Sequence, residues 1–294
     1  MDTSPKNPEH VWTPRESLKV ITESDSEKGL TKRLVTEINE TEWDNETLDQ
    51  VTYALGIALE AHQHDKRGKH PYSTHLLRVT VRIMSPNHFT IRDQPNLIIA
   101  AALHDIVEDH PDFLISDSAT ESEAENQTLA INAIEEQFGS DVSRLVAEVT
   151  NPVLPDEVKD LKALDEVDYK IAKNELYRSH VIELIGSGSE GAIIKLSDFV
   201  DNCVGLGHNE DAKKATKLAH KYFPLIDHFR NYIETTSHYN ETVKARLLVQ
   251  MDNAERRCNM LIDATSSHQE TDQQPPNEDG ETHSDFDQSS FLAS

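Results

Sequence analysis

The chain has 294 residues, enough for one or two domains, and a formal charge of −25 from 28 Lys and Arg against 53 Asp and Glu. That balance argues against non-specific nucleic-acid binding, which needs a basic excess to neutralise phosphates. No apolar run approaches the roughly 18 residues of a membrane span, and the opening "MDTSPKNPEHVW" has no charged-then-apolar signal pattern.

Hydrophobic content is 36% and mean hydropathy is −0.59. The apolar deficit lies mostly at the ends. Residues 1–30 and 265–294 are rich in Ser, Thr, Glu, Asp, Gln and Pro, bury too little surface to offset the entropy of ordering, and are expected to be disordered. One domain is left, over residues 31–264. Its first helix with a clear apolar stripe is "NETLDQVTYALGIALEAHQH", followed by a basic loop, "DKRGKHPY". "STHLLRVTVRIMS" reads as a helix capped by Ser73 or Thr74. The next helix is expected to start at Asp93, with Pro95 in its first turn, and to run unbroken to Asp109, with Pro111 ending it. Residues 112–126 read as a polar, acidic loop. Helices are expected over about 127–138, 141–149, 163–186, 189–206, 211–236 and 242–263. No alternating strand pattern and no repeat is visible, so the fold class is all-α. Cys203 and Cys258 have no CxxC spacing and read as free thiols in a reducing cytoplasm.

The stretch "AALHDIVEDH" (101–110) sinks one imidazole and three carboxylates into an apolar run. Acids are unfavourable near a helix C-terminus, where the macrodipole is negative, so His104, Asp105, Glu108 and Asp109 ask for a compensating cation. On a continuous helix His104 and Glu108 share one face, and Asp105 and Asp109 form the next row. Further ligands are needed. His75, just after the basic loop, is the best upstream candidate, and Asp198 in "IIKLSDFVDN" repeats the pattern of an acid after an apolar run. Mixed imidazole and carboxylate ligation suits manganese, iron or zinc. His62, His64 and His70 read as a solvated loop with no carboxylate cluster beside them, and Lys213, Lys214, Lys217, His220 and Lys221 as a solvated basic helical face.

Read as His75, His104–Asp105 and Asp198, the pattern "H…HD…D" resembles the HD superfamily of metal-dependent phosphohydrolases. The details resemble most the hydrolase domain of RelA/SpoT-type enzymes and their small stand-alone relatives. "AHQHDKRGKHPYSTH", "AALHDIVEDH" (similar to the HDxxED signature), "FGSDVSRLVAEVTN" and "IKLSDFVDN" carry the likeness. It covers about residues 48–206, and the segment 207–264 looks like a helical extension. The resemblance implies an HD-type helical bundle in which His75, His104, Asp105 and Asp198 hold one divalent metal, manganese in that group. It also implies that Glu108 and Asp109 position and deprotonate the attacking water, and that Lys66 and Arg67 face phosphate or base. Asn202 would hold the nucleoside end of a small-molecule nucleotide. The implied reaction removes pyrophosphate from the 3′ position of (p)ppGpp. Phe199 and Asp201 depart from the family pattern, which has Arg or Lys at the first and His or Tyr at the second. Two other readings stay open: an HD-type nucleoside 5′-monophosphate phosphatase, and a non-catalytic, metal-bound nucleotide sensor.

Overall fold

A computed structural model describes residues 26–271 apart from 86–88, 90, 92–93 and 209–210. The expected start of a helix at Asp93 lies outside these residues. In chain order the α-helices are α1 (Glu27–Asn39), α2 (Asn45–Ala61), α3 (Ser73–Met84), α4 (Pro95–Ala102), α5 (Ile106–Asp109), α6 (Pro111–Ile115) and α7 (Glu123–Phe138). They continue as α8 (Ser140–Val149), α9 (Asp156–Leu164), α10 (Glu166–Ser187), α11 (Gly191–Val204), α12 (Ala212–Tyr222), α13 (Ile226–Thr235) and α14 (Glu241–Thr271). The only strands among the described residues are β1 (Lys66–Arg67) and β2 (His70–Pro71), an antiparallel pair with Arg67 opposite His70. The fold is all-α.

Three helices make the centre. Every residue of α3 is buried, as are Leu97–Ala102 of α4 and residues 191–200 of α11. Helix α3 packs on α1, α4 and α11, while α11 also meets α8 and α14. A helix buried on all sides normally excludes charge, yet α3 contains Arg78 and Arg82 and α11 contains Lys195, Asp198 and Asp201, all buried. These polar positions mark where the centre does something besides pack. Among the described residues no helix is long and apolar enough to cross a membrane. Cys203 and Cys258 are free and buried, with their sulfurs 3.5 Å apart.

The structure corrects several expected boundaries. Helix α1 begins at Glu27, with the Ser26 hydroxyl accepting from Gly29 N, and sends Leu30 and Leu34 into the core. Helix α14 continues to Thr271, so helical structure extends past both ends of 31–264. The stretch 112–126 is not an open loop: Pro111 opens α6 as a first-turn proline, and Ser122 caps α7 through Glu125 N. Asp165 accepts from Val167 N and Asp168 N and caps α10, so the expected 163–186 helix starts at Glu166, and a separate helix, α9, forms ahead of it in residues read as loop. Pro224 likewise separates α12 from α13 by a short 3-10 turn. The basic loop is closed as a hairpin by Gly68, whose φ of 63° is left-handed.

Candidate metal centre

The expected helix 93–109 is interrupted where its chemistry begins. His104 Nδ1 lies 2.8 Å from the carbonyl of Ala101. In an unbroken helix that carbonyl would take the Asp105 N–H, so the side chain displaces the backbone bond. The chain tightens there, with Ile106 N donating to Leu103 O, and restarts as α5, whose first turn is closed by Asp109 N donating to Asp105 O at 2.9 Å. His104 and Asp105 therefore project from a break, and the one-face geometry expected of a continuous helix does not apply.

That break faces α3 and α11. His75, His104 and Asp198 are all buried, and their donor atoms lie within 4.8 Å of one another. His75 Nε2 stands 3.4 Å from Asp198 Oδ1 and 3.4 Å from Asp105 Oδ2, and His104 Nε2 is 2.9 Å from Asp105 Oδ2. Although close to Asp105, His104 Nε2 is buried without a hydrogen bond. With Nδ1–H donated to Ala101, the lone pair is left on Nε2, beside Asp105 Oδ2. A buried polar atom without a partner is costly, and a divalent cation would satisfy it. This donor set fits a metal, and the four expected ligands come together; nothing in the geometry selects one metal among manganese, iron and zinc.

A buried polar shell fixes the ligands. Asp201 accepts from His75 Nδ1 at 2.8 Å, from Arg78 Nε and Nη2 at 2.8 and 3.0 Å, and from Arg82 Nη2 at 3.0 Å. Burial alone would raise the Asp201 carboxyl, but the His75 hydrogen bond and both guanidiniums hold it well below the usual carboxylate range. Anchoring Nδ1 leaves His75 Nε2 for the centre, the arrangement by which outer carboxylates orient imidazole ligands. Burial would also lower the basicity of His75, and Arg67 opposes its protonation, yet Asp105, Asp198 and Asp201 raise its pKa to about 10. Burial pushes Asp105 up, while His104 and His75 outweigh that and keep it ionised. Tyr72 donates to Asp105 Oδ2 at 2.7 Å, and Asn202 Nδ2 donates to Asp198 Oδ1 at 2.5 Å.

The remaining expected site residues divide. Glu108 is held through both oxygens by Asn151, from its backbone N at 2.7 Å and its side-chain Nδ2 at 2.8 Å. Burial raises the Glu108 carboxyl despite the opposing pull of Lys195. Glu108 and Asp109 line a cavity of about 300 Å³ whose wall also carries Asn151, Lys173, Tyr177 and Lys221. The buried triad itself is not among the lining residues. Arg67 turns inward to His75 Nδ1 at 2.9 Å and Asp201 at 3.6 Å, whereas Lys66 is exposed on the hairpin. Phe199 is fully buried and packs on Phe229 and Tyr222, with ring centroids 4.4 and 5.9 Å away.

Sequence reading missed four contributors. Asp201 stood out only as a departure, though its i+3 spacing from Asp198 puts the two on neighbouring faces. Asn151 carried no signal. Lys221, read as part of a solvated face, is only partly exposed, sits 3.8 Å over the Tyr177 ring and borders the cavity. His62, read as solvated, is buried, and it groups with Asp65 and His110 as a second donor set that could hold a metal; His64 and His70 are exposed as expected.

Neither a scan against protein-family models nor a search of curated proteins returns a match.

Proposed function

We propose that the protein is a metal-dependent phosphohydrolase of the HD type that cleaves a nucleotide phosphate with water. The observation that carries this reading is a buried His75–His104–Asp198 donor set followed, one turn of chain beyond His104, by Glu108, a carboxyl raised by burial on the wall of a cavity that also presents two lysines. A divalent ion bound by His75, His104, Asp105 and Asp198 would supply Lewis acidity and lower the pKa of a bound water. Glu108 would then accept the water proton. Its raised basicity suits that task, since a general base works best when its pKa is near the working pH. Asn151 fixes the orientation of Glu108, and although its two hydrogen bonds pull the carboxyl down, burial outweighs them. Lys173 and Lys221 would neutralise the phosphate, and Asp109, on the same wall, would orient the water or its proton.

Within this class the HDxxED-like pair Glu108–Asp109 favours the 3′-pyrophosphohydrolysis of (p)ppGpp, in the cytoplasm and as part of a stringent response, although Arg67, expected to face phosphate or base, is turned inward to Asp201. The size of the cavity favours a smaller substrate. At about 300 Å³ it sits at the low end of small-molecule sites, roughly 300–1,000 Å³, which suits a nucleoside 5′-monophosphate. Product analysis separates the two. Purified protein with Mn²⁺ should release pyrophosphate from ppGpp, or orthophosphate from a nucleoside monophosphate. The Glu108→Gln variant should retain its metal but turn over about 10²–10⁴-fold more slowly. Full turnover in Glu108→Gln would remove Glu108 as the base, and silence of the wild type on all of these substrates would defeat the hydrolase reading in favour of a sensor.

A further inference from the structure

We propose that His62, Asp65 and His110 form a second divalent transition-metal site, distinct from the His75–His104–Asp198 set and edged by Asp109. His62 follows α2 as its C-cap and its side chain is fully buried. Its Nδ1 lies 2.9 Å from Ala58 O, so the proton sits on Nδ1 and the Nε2 lone pair points away from the helix. That Nε2 is buried and has no hydrogen-bond partner. Asp109 Oδ2 is 3.8 Å away, too far for a hydrogen bond.

The other donors converge on the same place. His110 sits between α5 and α6, kept out of helical geometry by Pro111, with φ −140° and ψ 50°. Its Nε2 meets Asp65 Oδ2 at 2.5 Å, and its ring stands edge-on to His62, with centroids 4.6 Å apart at 89°. Tyr72 stacks on His62 at 5.0 Å and 10°, which fixes the ring. The three donor atoms lie within 4.8 Å of one another.

A His110–Asp65 hydrogen bond is complete by itself and would account for those two residues. It does not account for a desolvated imidazole lone pair held against them. A cation answers both: it takes the Nε2 lone pairs of His62 and His110 and one oxygen of Asp65, while the proton on His110 Nε2 is exchanged through solvent for one on Nδ1, so that the ring stays neutral. Two imidazoles with carboxylate suit zinc, iron, nickel or manganese better than magnesium or calcium. The partly exposed His110 and Asp65 side chains leave a way in and room for water. Occupancy would also draw Asp109 toward a positive charge at the edge of the cavity. The inference does not depend on the hydrolase reading.

The test is metal stoichiometry of the full chain, stripped with chelator and equilibrated with Zn²⁺, in the wild type and in His110→Gln and Asp65→Asn. Both substitutions are at partly exposed side chains, and a circular-dichroism melt checks that each folds. The wild type should hold one more ion per chain than either variant. Asp198→Asn should lower the count independently, so failure of the first site and failure of the second remain distinguishable. Equal stoichiometry in the wild type and both folded variants would overturn the proposal. If neither variant folds, the imidazole nitrogen resonances of the wild type decide. Zn²⁺ should move Nε2 of both His62 and His110, and a titration that moves only His75 and His104 would overturn it.

Discussion

Asp201 shows why a residue outside the donor set can govern a site. It is buried and surrounded by Arg78, Arg82 and the Nδ1 of His75. Replacing it by Asn keeps the shape but removes the charge that compensates two buried guanidiniums, and breaking such a network by deleting one partner costs about 3–5 kcal/mol. The same change releases His75 from its fixed orientation, which for outer carboxylates on ligating imidazoles lowers metal affinity about 10–100-fold. Asp201→Asn should therefore show both losses together, read by urea unfolding and by metal titration of the folded fraction. Loss of stability with unchanged affinity would mean that Asp201 serves only the arginines. At this scale the buried donor set was legible in the sequence because an imidazole or carboxylate inside an apolar run is costly enough to stand out. The residues that orient them were not, since Asn151 reaches Glu108 and Asp201 reaches His75 across 43 and 126 positions of chain.

Helix α11 carries two jobs on two faces. Asp198 and Asp201 face α3 and the metal donors, while Phe199 faces the aromatic side chains of Tyr222 and Phe229. If the faces are independent, Phe199→Ala should destabilise the fold by about 3–5 kcal/mol, the usual cost of emptying a buried aromatic position, and leave the metal stoichiometry of the folded protein unchanged. Thermal melts beside metal analysis check this, and loss of metal from a still-folded variant would show that the faces are coupled. Phe199 thus serves packing, and Asp201 serves the site. Periodicity revealed α2, α3, α8 and α11 because each has an apolar face or an apolar run. It failed where a single side chain competes with the backbone: His104 takes the Ala101 carbonyl, and Asp165 caps the following turn. Such breaks are local hydrogen-bond decisions that an apolar pattern does not record. Pro111 was read as a stop when it is also a start, since proline ends one helix and is preorganised for the first turn of the next.

The whole molecule poses an electrostatic problem for either proposed nucleotide substrate. A chain with a formal charge of −25 repels an anion at long range, yet Lys173 and Lys221 line the cavity and Lys195 lies buried beside Asp198. Distance decides which field wins. At about 0.01 M ionic strength the screening length is about 30 Å and the net acidity reaches an approaching nucleotide, whereas at about 0.15 M it is about 8 Å and only charges near the cavity act. Added salt should thus remove the unfavourable field before it weakens the local lysines, and kcat/KM for an anionic substrate should rise severalfold over that interval. Divalent metal feels the same field with the opposite sign, so its affinity should fall over the same range. Steady-state kinetics and metal titrations in a KCl series at saturating metal check the pair. If kcat/KM fell monotonically with salt, the lysines would dominate even at long range, and the acidic surface would have to lie away from the mouth of the cavity. Parallel movement of both quantities would point instead to a salt effect on the fold, which net self-repulsion of this size makes measurable as a melting temperature that rises with ionic strength.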